Sequence, residues 1–197
     1  MSVEIKLLTE AEYTTTTWSG GKTTQLFIYP EEADYSKRDF KFRLSSATIE
    51  VEESEFTRLD SVYRFITPLD GQLKLTHDQR HFVELQPFDV YEFDGGKDTT
   101  SFGKAKDFNL MLKDGAEGSL ESVLIDKETR LNYSFAGKEF FLFLYASNEP
   151  VTAEVQGKTY NLKPDETLLI NGRSVPNLQI KLNSEDRANV LVAKIDL

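Results

Sequence analysis

Short runs of β-branched and aromatic residues, separated by Gly, Pro, Asn and Asp, recur along the whole chain and constrain its fold more than any other feature. The runs occupy residues 26–29, 40–46, 48–51, 63–68, 72–76, 82–85, 90–93, 108–112, 120–125, 131–135, 140–145, 151–155, 159–162, 167–170, 178–182 and 190–195. No stretch of about twelve residues repeats its apolar positions with a helical period, so we expect few and short helices. Many evenly spaced strands are typical of a sandwich or barrel. The sequence therefore predicts an all-β protein.

The two halves of the chain carry the same order of strand and turn signals. Residues 85–90 (Leu-Gln-Pro-Phe-Asp-Val) have a counterpart in residues 162–167 (Leu-Lys-Pro-Asp-Glu-Thr). Proline cannot donate to a central ladder, so each proline is expected at a strand entrance or turn. Residues 114–118 interrupt the strand pattern without forming a long linker. We predict two similar β-barrels packed together, residues 1–115 forming the first half and residues 116–197 the second.

Charge and composition exclude several classes of function. The chain has 23 Lys and Arg against 33 Asp and Glu, a formal net charge of −10. Nucleic acid and anionic membranes require clustered basic residues, so we expect neither as a partner. The chain has no cysteine, which excludes disulfides, thiolate catalysis and thiolate metal sites. Residues 1–10 have neither a signal-peptide core nor a spanning segment, so we expect a cytoplasmic protein.

The run Gly20-Gly21-Lys22-Thr23-Thr24 is similar to the end of a phosphate-binding loop but lacks the rest of that motif. The motif needs an earlier glycine, where this chain has Thr16, and a following helix, whereas residues 25–29 are strand-like. We therefore expect a tight glycine turn between two strands, with Trp18 packing over it. The alternative is a turn whose backbone amides line a ligand pocket.

Histidine and acidic residues give no specific metal or catalytic signature. The two histidines, His77 and His81, fall in a segment typical of an exposed hairpin tip, where they can face each other. A metal would need further ligands converging on them, so we expect no metal and no other cofactor. The same scarcity leaves no Ser-His-Asp arrangement. The glutamates within residues 50–55 are expected to form a solvated face.

Two predicted strands each carry one largely polar face. Period-two alternation separates Lys41, Arg43 and Ser45 from Phe40, Phe42 and Leu44, and Asp107, Asn109 and Met111 from Phe108, Leu110 and Leu112. If the polar faces point into a barrel, they create a polar cavity. A buried arginine needs a partner, and its planar fork suits a carboxylate. Arg43 and Arg64 therefore either pair with an internal acid such as Asp107 or face water, or they form an anion-binding pocket.

An ordered set of motifs resembles the HutD/Ves family. The set comprises Trp18-Ser19-Gly20-Gly21, Thr24, Phe42-Arg43-Leu44-Ser45-Ser46-Ala47, Phe56-Thr57, Arg64, Leu69-Asp70-Gly71, Phe93-Asp94-Gly95 and Asp107-Phe108-Asn109-Leu110-Met111. These motifs span residues 13–115, and the remainder resembles the family in length and strand character. The family often has an Asn and a third Gly after its Trp, a pattern this chain does not share. The resemblance implies a fold of two cupin barrels, a bicupin, in agreement with the internal repeat.

The resemblance implies a function only in outline. One branch of the family is associated with histidine utilisation and a regulatory role through binding of formylglutamate, and another with environmental stress. Many cupins hold a metal through Gly-x5-His-x-His, but here His77 follows Gly71 and position 79 is Gln79, which implies a metal-free cupin. We carry a ligand pocket over to the matching positions of this chain. They are Trp18, Arg43, Ser45, Arg64, Asp107 and Asn109.

Three functions remain open on the sequence alone. The leading hypothesis is a non-enzymatic monomer or homodimer that binds a small carboxylated metabolite, with arginine holding the anion and Ser45 and Asn109 orienting it. The second is a metal-free isomerase or hydrolase in which Asp107 or a buried tyrosine is the general acid or base. The third is a stress-related protein without a ligand, which would have solidly packed barrels and a large apolar surface patch.

Overall fold

Strands make up almost all of the regular structure in the computed structural model, which describes residues 3–137 and 139–197. The strands are β1 Glu4–Leu8, β2 Thr14–Trp18, β3 Gly21–Tyr29, β4 Phe42–Ile49, β5 Glu53–Glu55, β6 Val62–Gly71, β7 Leu73–Thr76, β8 Phe82–Leu85, β9 Tyr91–Asp94, β10 Thr100–Phe102, β11 Ala105–Lys113, β12 Glu117–Ile125, β13 Glu128–Phe135, β14 Phe140–Ala146, β15 Val151–Val155, β16 Lys158–Leu162, β17 Thr167–Gly172, β18 Val175–Asn183 and β19 Ala188–Asp196. Within the described residues the one helix is a 3₁₀ turn, Tyr35–Lys37. The all-β prediction is confirmed.

Four strands were not predicted, namely β1, β2, β5 and β10. β2 consists of four threonines and a tryptophan, all exposed, so it has no apolar alternation to detect. β5 and β10 are three residues long and pair with each other, which is too short for a periodic signal. The two runs predicted at 40–46 and 48–51 form one continuous strand, β4.

The chain divides into two compact units, and the division differs from the prediction at the amino terminus. One unit comprises Tyr13–Ala116, and the other comprises Glu117–Leu197 together with β1. The prediction that residues 1–115 form the first half is therefore wrong for β1. The physical reason is that β1 pairs antiparallel with β17 along its whole length, from Glu4 opposite Asn171 to Leu8 opposite Thr167.

The unit Tyr13–Ala116 contains two antiparallel sheets. The larger has the strand order β2-β3-β4-β11-β6-β9, and the smaller has the order β5-β10-β7-β8. A hydrophobic cluster draws on both sheets, with Ile66 from the larger and Leu73, Leu75 and Leu85 from the smaller. Burial of these apolar side chains stabilises the association of the two sheets.

The unit Glu117–Leu197 with β1 also contains two antiparallel sheets. Their strand orders are β1-β17-β14-β19-β12 and β13-β18-β15-β16. β14 is buried at every position, and its Phe140, Leu142 and Leu144 join Ile180 and Leu182 of β18 in one hydrophobic cluster. In the part of the chain that the structure describes, no helix has the length and hydropathy needed to cross a membrane.

The turn between β2 and β3 has the glycine geometry expected from the sequence. The chain continues from Gly21 directly into a strand rather than a helix, as the comparison with phosphate-binding loops predicted. Gly21 has φ +151°, and a Cβ atom there would lie 1.9 Å from the carbonyl oxygen of Thr48. A Cβ on Gly20 would lie 2.1 Å from Cζ3 of Trp18. The indole therefore covers Gly20.

Candidate functional site

One face of the larger sheet of the unit Tyr13–Ala116 carries a cavity of about 340 Å³. Arg43 on β4 and Arg64 on β6 are both paired with Met111 on β11, the strand between them. Directly paired residues point to the same side of a sheet, so these three side chains form a row. Asn109 lies opposite Ser45 in the next row. The polar faces of β4 and β11 thus point into the cavity.

The structure brings all six predicted site residues to this cavity. They are Trp18, Arg43, Ser45, Arg64, Asp107 and Asn109. Five of them are buried, and Trp18 is 38% exposed. Their placement was predicted from alternation and from the family resemblance, whereas their role in binding a ligand stays a prediction.

Arg43 is a buried cation held by polar and aromatic neighbours. It is 6% exposed. Its Nε donates to Oε1 of Gln25 at 2.8 Å, and its Nη1 donates to Oγ of Ser45 at 3.1 Å. The guanidinium carbon lies 4.2 Å from the ring centroid of Tyr35, a cation–π geometry. Burial lowers the pKa of Arg43 because water no longer stabilises the charged form.

Arg64 is the less satisfied of the two guanidinium groups. It is 5% exposed, and its Nη2 donates to Oδ1 of Asn109 at 2.8 Å. Its guanidinium carbon lies 4.9 Å and 5.1 Å from the ring centroids of Phe56 and Phe93. Its buried Nε has no hydrogen-bond partner among the residues that the structure describes. Burial lowers the pKa of Arg64 to about 10.

Asp107 is a buried carboxyl group that does not pair directly with either arginine. It is 2% exposed, and its Oδ1 accepts a hydrogen bond of 2.7 Å from Nδ2 of Asn109. The backbone N–H of Ala47 also donates to it. Burial raises the pKa of Asp107 to about 7, and the charge of Arg64 opposes that rise. Across the described residues, Arg43 and Arg64 form no ion pair with a carboxylate.

The geometry argues against two of the alternatives left open for the arginines, and the anion-binding pocket stays a prediction. Arg43 and Arg64 do not face bulk water, because both are buried. Asp107 reaches Arg64 only through the side-chain amide of Asn109. The interior thus contains two cations and one carboxyl group whose charge depends on pH.

Several residues of the site were missed by the sequence analysis. Gln25 and Tyr35 contact Arg43, and Phe56 and Phe93 contact Arg64. Alternation along β3 places Gln25 on the same face as Thr23, which also lines the cavity, so Gln25 was detectable once β3 was aligned with β4. Tyr35 lies in the 3₁₀ turn between β3 and β4 and carries no periodic signal.

The prediction of two exposed, facing histidines is wrong for His77. Its Nδ1 lies 2.9 Å from Oγ1 of Thr99, its Nε2 lies 3.1 Å from the hydroxyl of Tyr91, and its ring stacks on that tyrosine. Tyr91 on β9 and Thr99 just before β10 contact both ring nitrogens and hold His77 away from solvent. His81 is exposed and bonded to Asp78.

The acidic run behaves as predicted. The glutamates within residues 50–55 are exposed, and Glu55 also borders the cavity. Among residues 3–137 and 139–197, no group of three or more His, Asp or Glu is arranged to hold a metal ion.

Structural comparison defines the class of protein. Crystal structures with the same fold include the conserved protein of unknown function PA5104 from Pseudomonas aeruginosa PAO1, with 21% identity, a TM-score of 0.85 and coverage of 98% of this chain and 100% of that one. HutD from Pseudomonas fluorescens SBW25 shares 21% identity with a TM-score of 0.74, again over 98% of this chain and 100% of that one. YhhW from Escherichia coli shares 10% identity with a TM-score of 0.69, over 97% of each chain. The fold is all-β and of the cupin type.

The family follows from the sequence. The family model described as HutD matches residues 10–192. A search of curated protein sequences found no significant match. The chain belongs to the HutD family, as the motifs of its first half predicted.

Proposed function

We propose that this protein binds a small carboxylated metabolite in the cavity of the unit Tyr13–Ala116 and acts as a sensor or regulator rather than as an enzyme. Arg64 holds the carboxylate, Arg43 contributes a second positive charge, and Ser45 and Asn109 orient the molecule. The cavity of about 340 Å³ lies within the range of small-molecule sites, roughly 300–1,000 Å³. Its lining combines a few polar groups with aromatic side chains, including Trp18, Tyr35 and Phe56.

The observation that carries the proposal is the unsatisfied guanidinium of Arg64. A buried donor without a partner costs about 1–3 kcal/mol, and a buried charge costs more unless it is paired. A carboxylate in the cavity would accept from Nε and offset both penalties, because guanidinium and carboxylate groups match in charge and planar geometry.

The net charge of −10 does not prevent anion binding at this site. At physiological salt, interactions between exposed charges are largely screened beyond about 8 Å, whereas groups buried in a cavity are screened much less. Among the described lining residues, the two buried arginines outnumber the one buried carboxyl group, Asp107, so the local field favours an anion.

We extend the proposal to the finer architecture and the biological role. Each unit, with its two antiparallel sheets around a hydrophobic cluster, is one cupin-like barrel, so the chain is a bicupin. We further propose that the protein acts in the cytoplasm. The HutD name of the family supports a place in histidine utilisation, and the resemblance implied a formylglutamate-like ligand. The hypothesis of a stress protein without a ligand requires solidly packed barrels, and the cavity argues against it.

A thermal-shift titration tests the proposal. Formate, glutamate and N-formylglutamate are compared with formamide and with the diamide of N-formylglutamic acid, neither of which carries a carboxylate. A carboxylate at about one hundred times its Kd adds about 2.7 kcal/mol to the free energy of unfolding and raises Tm by several degrees. The Arg64→Gln variant should lose this response, and Arg130→Gln, a change in an exposed arginine of the other unit, should keep it. Unchanged melting curves with all three acids would overturn the proposal.

A second candidate function rests on Asp107. A buried carboxyl group with a pKa of about 7 is suited to general acid or base catalysis near neutral pH. Under this alternative the cavity belongs to a metal-independent isomerase or hydrolase. Turnover of an amino-acid or sugar derivative by the wild type, with loss of turnover in Asp107→Asn, would favour it over simple binding.

A further inference from the structure

A chain of two hydrogen bonds joins Asp107 to Arg64 through one amide. Asn109 donates from Nδ2 to Oδ1 of Asp107 at 2.7 Å, and its Oδ1 accepts from Nη2 of Arg64 at 2.8 Å. All three side chains are buried. Because both ends of the amide are engaged, Asn109 has one orientation and holds the carboxyl group and the guanidinium apart.

Several elements around the cavity contribute to the charge that Asp107 experiences. β6 provides Arg64, β4 provides Arg43 and the backbone N–H of Ala47, and β5 provides the exposed Glu55. The 3₁₀ turn provides the hydroxyl of Tyr35. The described lining residues of β2 and β3 are Thr16, Trp18 and Thr23, none of which is titratable. With Asp107 ionised, the buried groups therefore comprise two cations and one anion.

A bound carboxylate changes this balance. It places a second negative charge in the same buried space, where like charges interact strongly because little water screens them. The repulsion between the two anions is relieved most easily if one of them takes up a proton. Asp107 is the group suited to do so, since it is a buried carboxyl group whose Oδ1 accepts from Asn109 and can still accept when the group is protonated on its other oxygen.

We propose that the cavity binds its anion together with one proton from solvent, which adds to the carboxylate of Asp107, and that Asn109 is the positioning residue that keeps Asp107 from pairing with Arg64. This inference rests on the proposed carboxylate-binding function. The overall step is the non-covalent binding of a carboxylate anion to Arg64 and the conversion of the Asp107 carboxylate and a proton to a carboxylic acid. Sensing then depends on pH as well as on the concentration of the anion.

The pKa of Asp107 sets the pH range in which anion binding is expected to take up a proton. Burial has already raised this pKa to about 7, so a further rise on anion binding produces proton uptake near neutral pH. Above about pH 7 the free protein must gain a proton to bind, so affinity falls by up to about tenfold per pH unit. Below about pH 6 Asp107 already carries its proton and the affinity levels off.

Isothermal titration calorimetry of the wild type with formate and with N-formylglutamate tests the inference. Titrations in MOPS and in imidazole, which differ in ionisation enthalpy and both buffer near neutral pH, give the number of protons taken up per bound anion. We expect a value near one at about pH 8 that declines toward zero at about pH 6. Total ionic strength is held constant with chloride, so that screening does not change with pH.

Variants test whether Asp107 takes up the proton and whether Asn109 positions Asp107. Asp107→Asn should bind the anion with no proton uptake and with an affinity independent of pH. Asn109→Ala should let Asp107 approach Arg64 and weaken binding by about tenfold or more above about pH 7. Adding Asp107→Asn to Asn109→Ala should restore the affinity, which a merely structural role of Asn109 would not allow. His81→Gln removes an exposed histidine whose pKa is raised by Asp78, and it should leave the proton uptake unchanged.

The outcomes separate the two proposals. If neither anion binds the wild type at any pH, the proposed function fails and the proton linkage fails with it. If an anion binds without proton uptake, the linkage alone is wrong. Uptake that persists in Asp107→Asn would also overturn it, by placing the proton on a different group.

Discussion

Arg43 and Arg64 lie level with each other on the two strands that flank β11, because both are paired with Met111. Two strand spacings place their Cα atoms roughly 10 Å apart on one face of the sheet. Their partners differ, since two nitrogens of Arg43 donate to Gln25 and Ser45, whereas Nε of Arg64 has no acceptor among the described residues. Under the proposed function, this difference ranks Arg64 as the principal anion anchor and Arg43 as a supporting cation.

The ranking predicts unequal effects of conservative substitutions on binding. Arg64→Lys removes the planar fork and should weaken carboxylate binding by roughly 10- to 100-fold, the equivalent of one charge-assisted hydrogen bond. Arg43→Lys should weaken it by less than about tenfold, because the positive charge is retained and its fork is engaged by protein groups. Calorimetric Kd values for N-formylglutamate check both variants. A larger loss for Arg43→Lys than for Arg64→Lys would contradict the ranking.

Replacing Arg64 by an apolar residue should raise the free energy of unfolding while it weakens anion binding. A buried charge without a carboxylate partner carries a desolvation penalty on the order of several kcal/mol, which an apolar side chain of similar length does not carry. We therefore expect Arg64→Met to raise the free energy of unfolding by about 1–3 kcal/mol while abolishing anion binding. Urea denaturation measures the change. Arg130→Met is the matched control at an exposed arginine and should stay within about 0.5 kcal/mol of the wild type. A marked loss of stability in Arg64→Met would mean that its amide and aromatic contacts outweigh its burial penalty.

The buried carboxyl group of Asp107 should make stability depend on pH. Its pKa is raised from 3.8 to about 7 in the folded protein, so the folded state binds more protons than the unfolded chain between these values. Stability is therefore lost as pH rises from about 4 to about 7, by on the order of 4 kcal/mol, and the loss is complete above that range. Asp107→Asn removes this contribution, so its free energy of unfolding relative to the wild type should increase from about pH 4 to about pH 8. A difference between the two proteins that is constant with pH would show that Asp107 is ionised in the folded state.

Much of the site could be predicted because its key strands alternate clearly. In β4 and β11 the apolar and polar residues separate by period two, and this pattern alone assigns Arg43, Ser45, Asp107 and Asn109 to polar faces. Alternation cannot show which face of a strand points into the cavity and which points away from it. The inward orientation of the polar faces follows from the long-range pairing of β11 with both β4 and β6.

The parts that escaped prediction depend on contacts between segments distant in sequence. β1 belongs to the unit Glu117–Leu197 because of its partner β17, about 160 residues away, and no local feature of residues 4–8 specifies that partner. Tyr35 reaches Arg43 from a 3₁₀ turn, and His77 is drawn inward by Tyr91. Such contacts reflect the arrangement of strands rather than the local pattern.

Trp18 gives a direct optical readout of the cavity. It is the single tryptophan of the chain, it lines the cavity, and it is 38% exposed. An anion held beside it would change the polarity around the indole, so we expect titration with N-formylglutamate to shift or quench its emission in a saturable way. The concentration at half-saturation should match the calorimetric Kd, and the diamide of N-formylglutamic acid, which has no carboxylate, should leave the spectrum unchanged.

The glycine beneath Trp18 provides the matched structural test. A Cβ on Gly20 would lie 2.1 Å from the indole ring, so Gly20→Ala must displace Trp18 from its position over the turn. The emission of this variant should resemble that of a more exposed tryptophan before any anion is added, and N-formylglutamate should change it less than in the wild type. The fold should persist, because the atoms in conflict belong to a partly exposed side chain at the end of β2. Emission identical to the wild type in Gly20→Ala would show that Trp18 does not rest on Gly20 in solution.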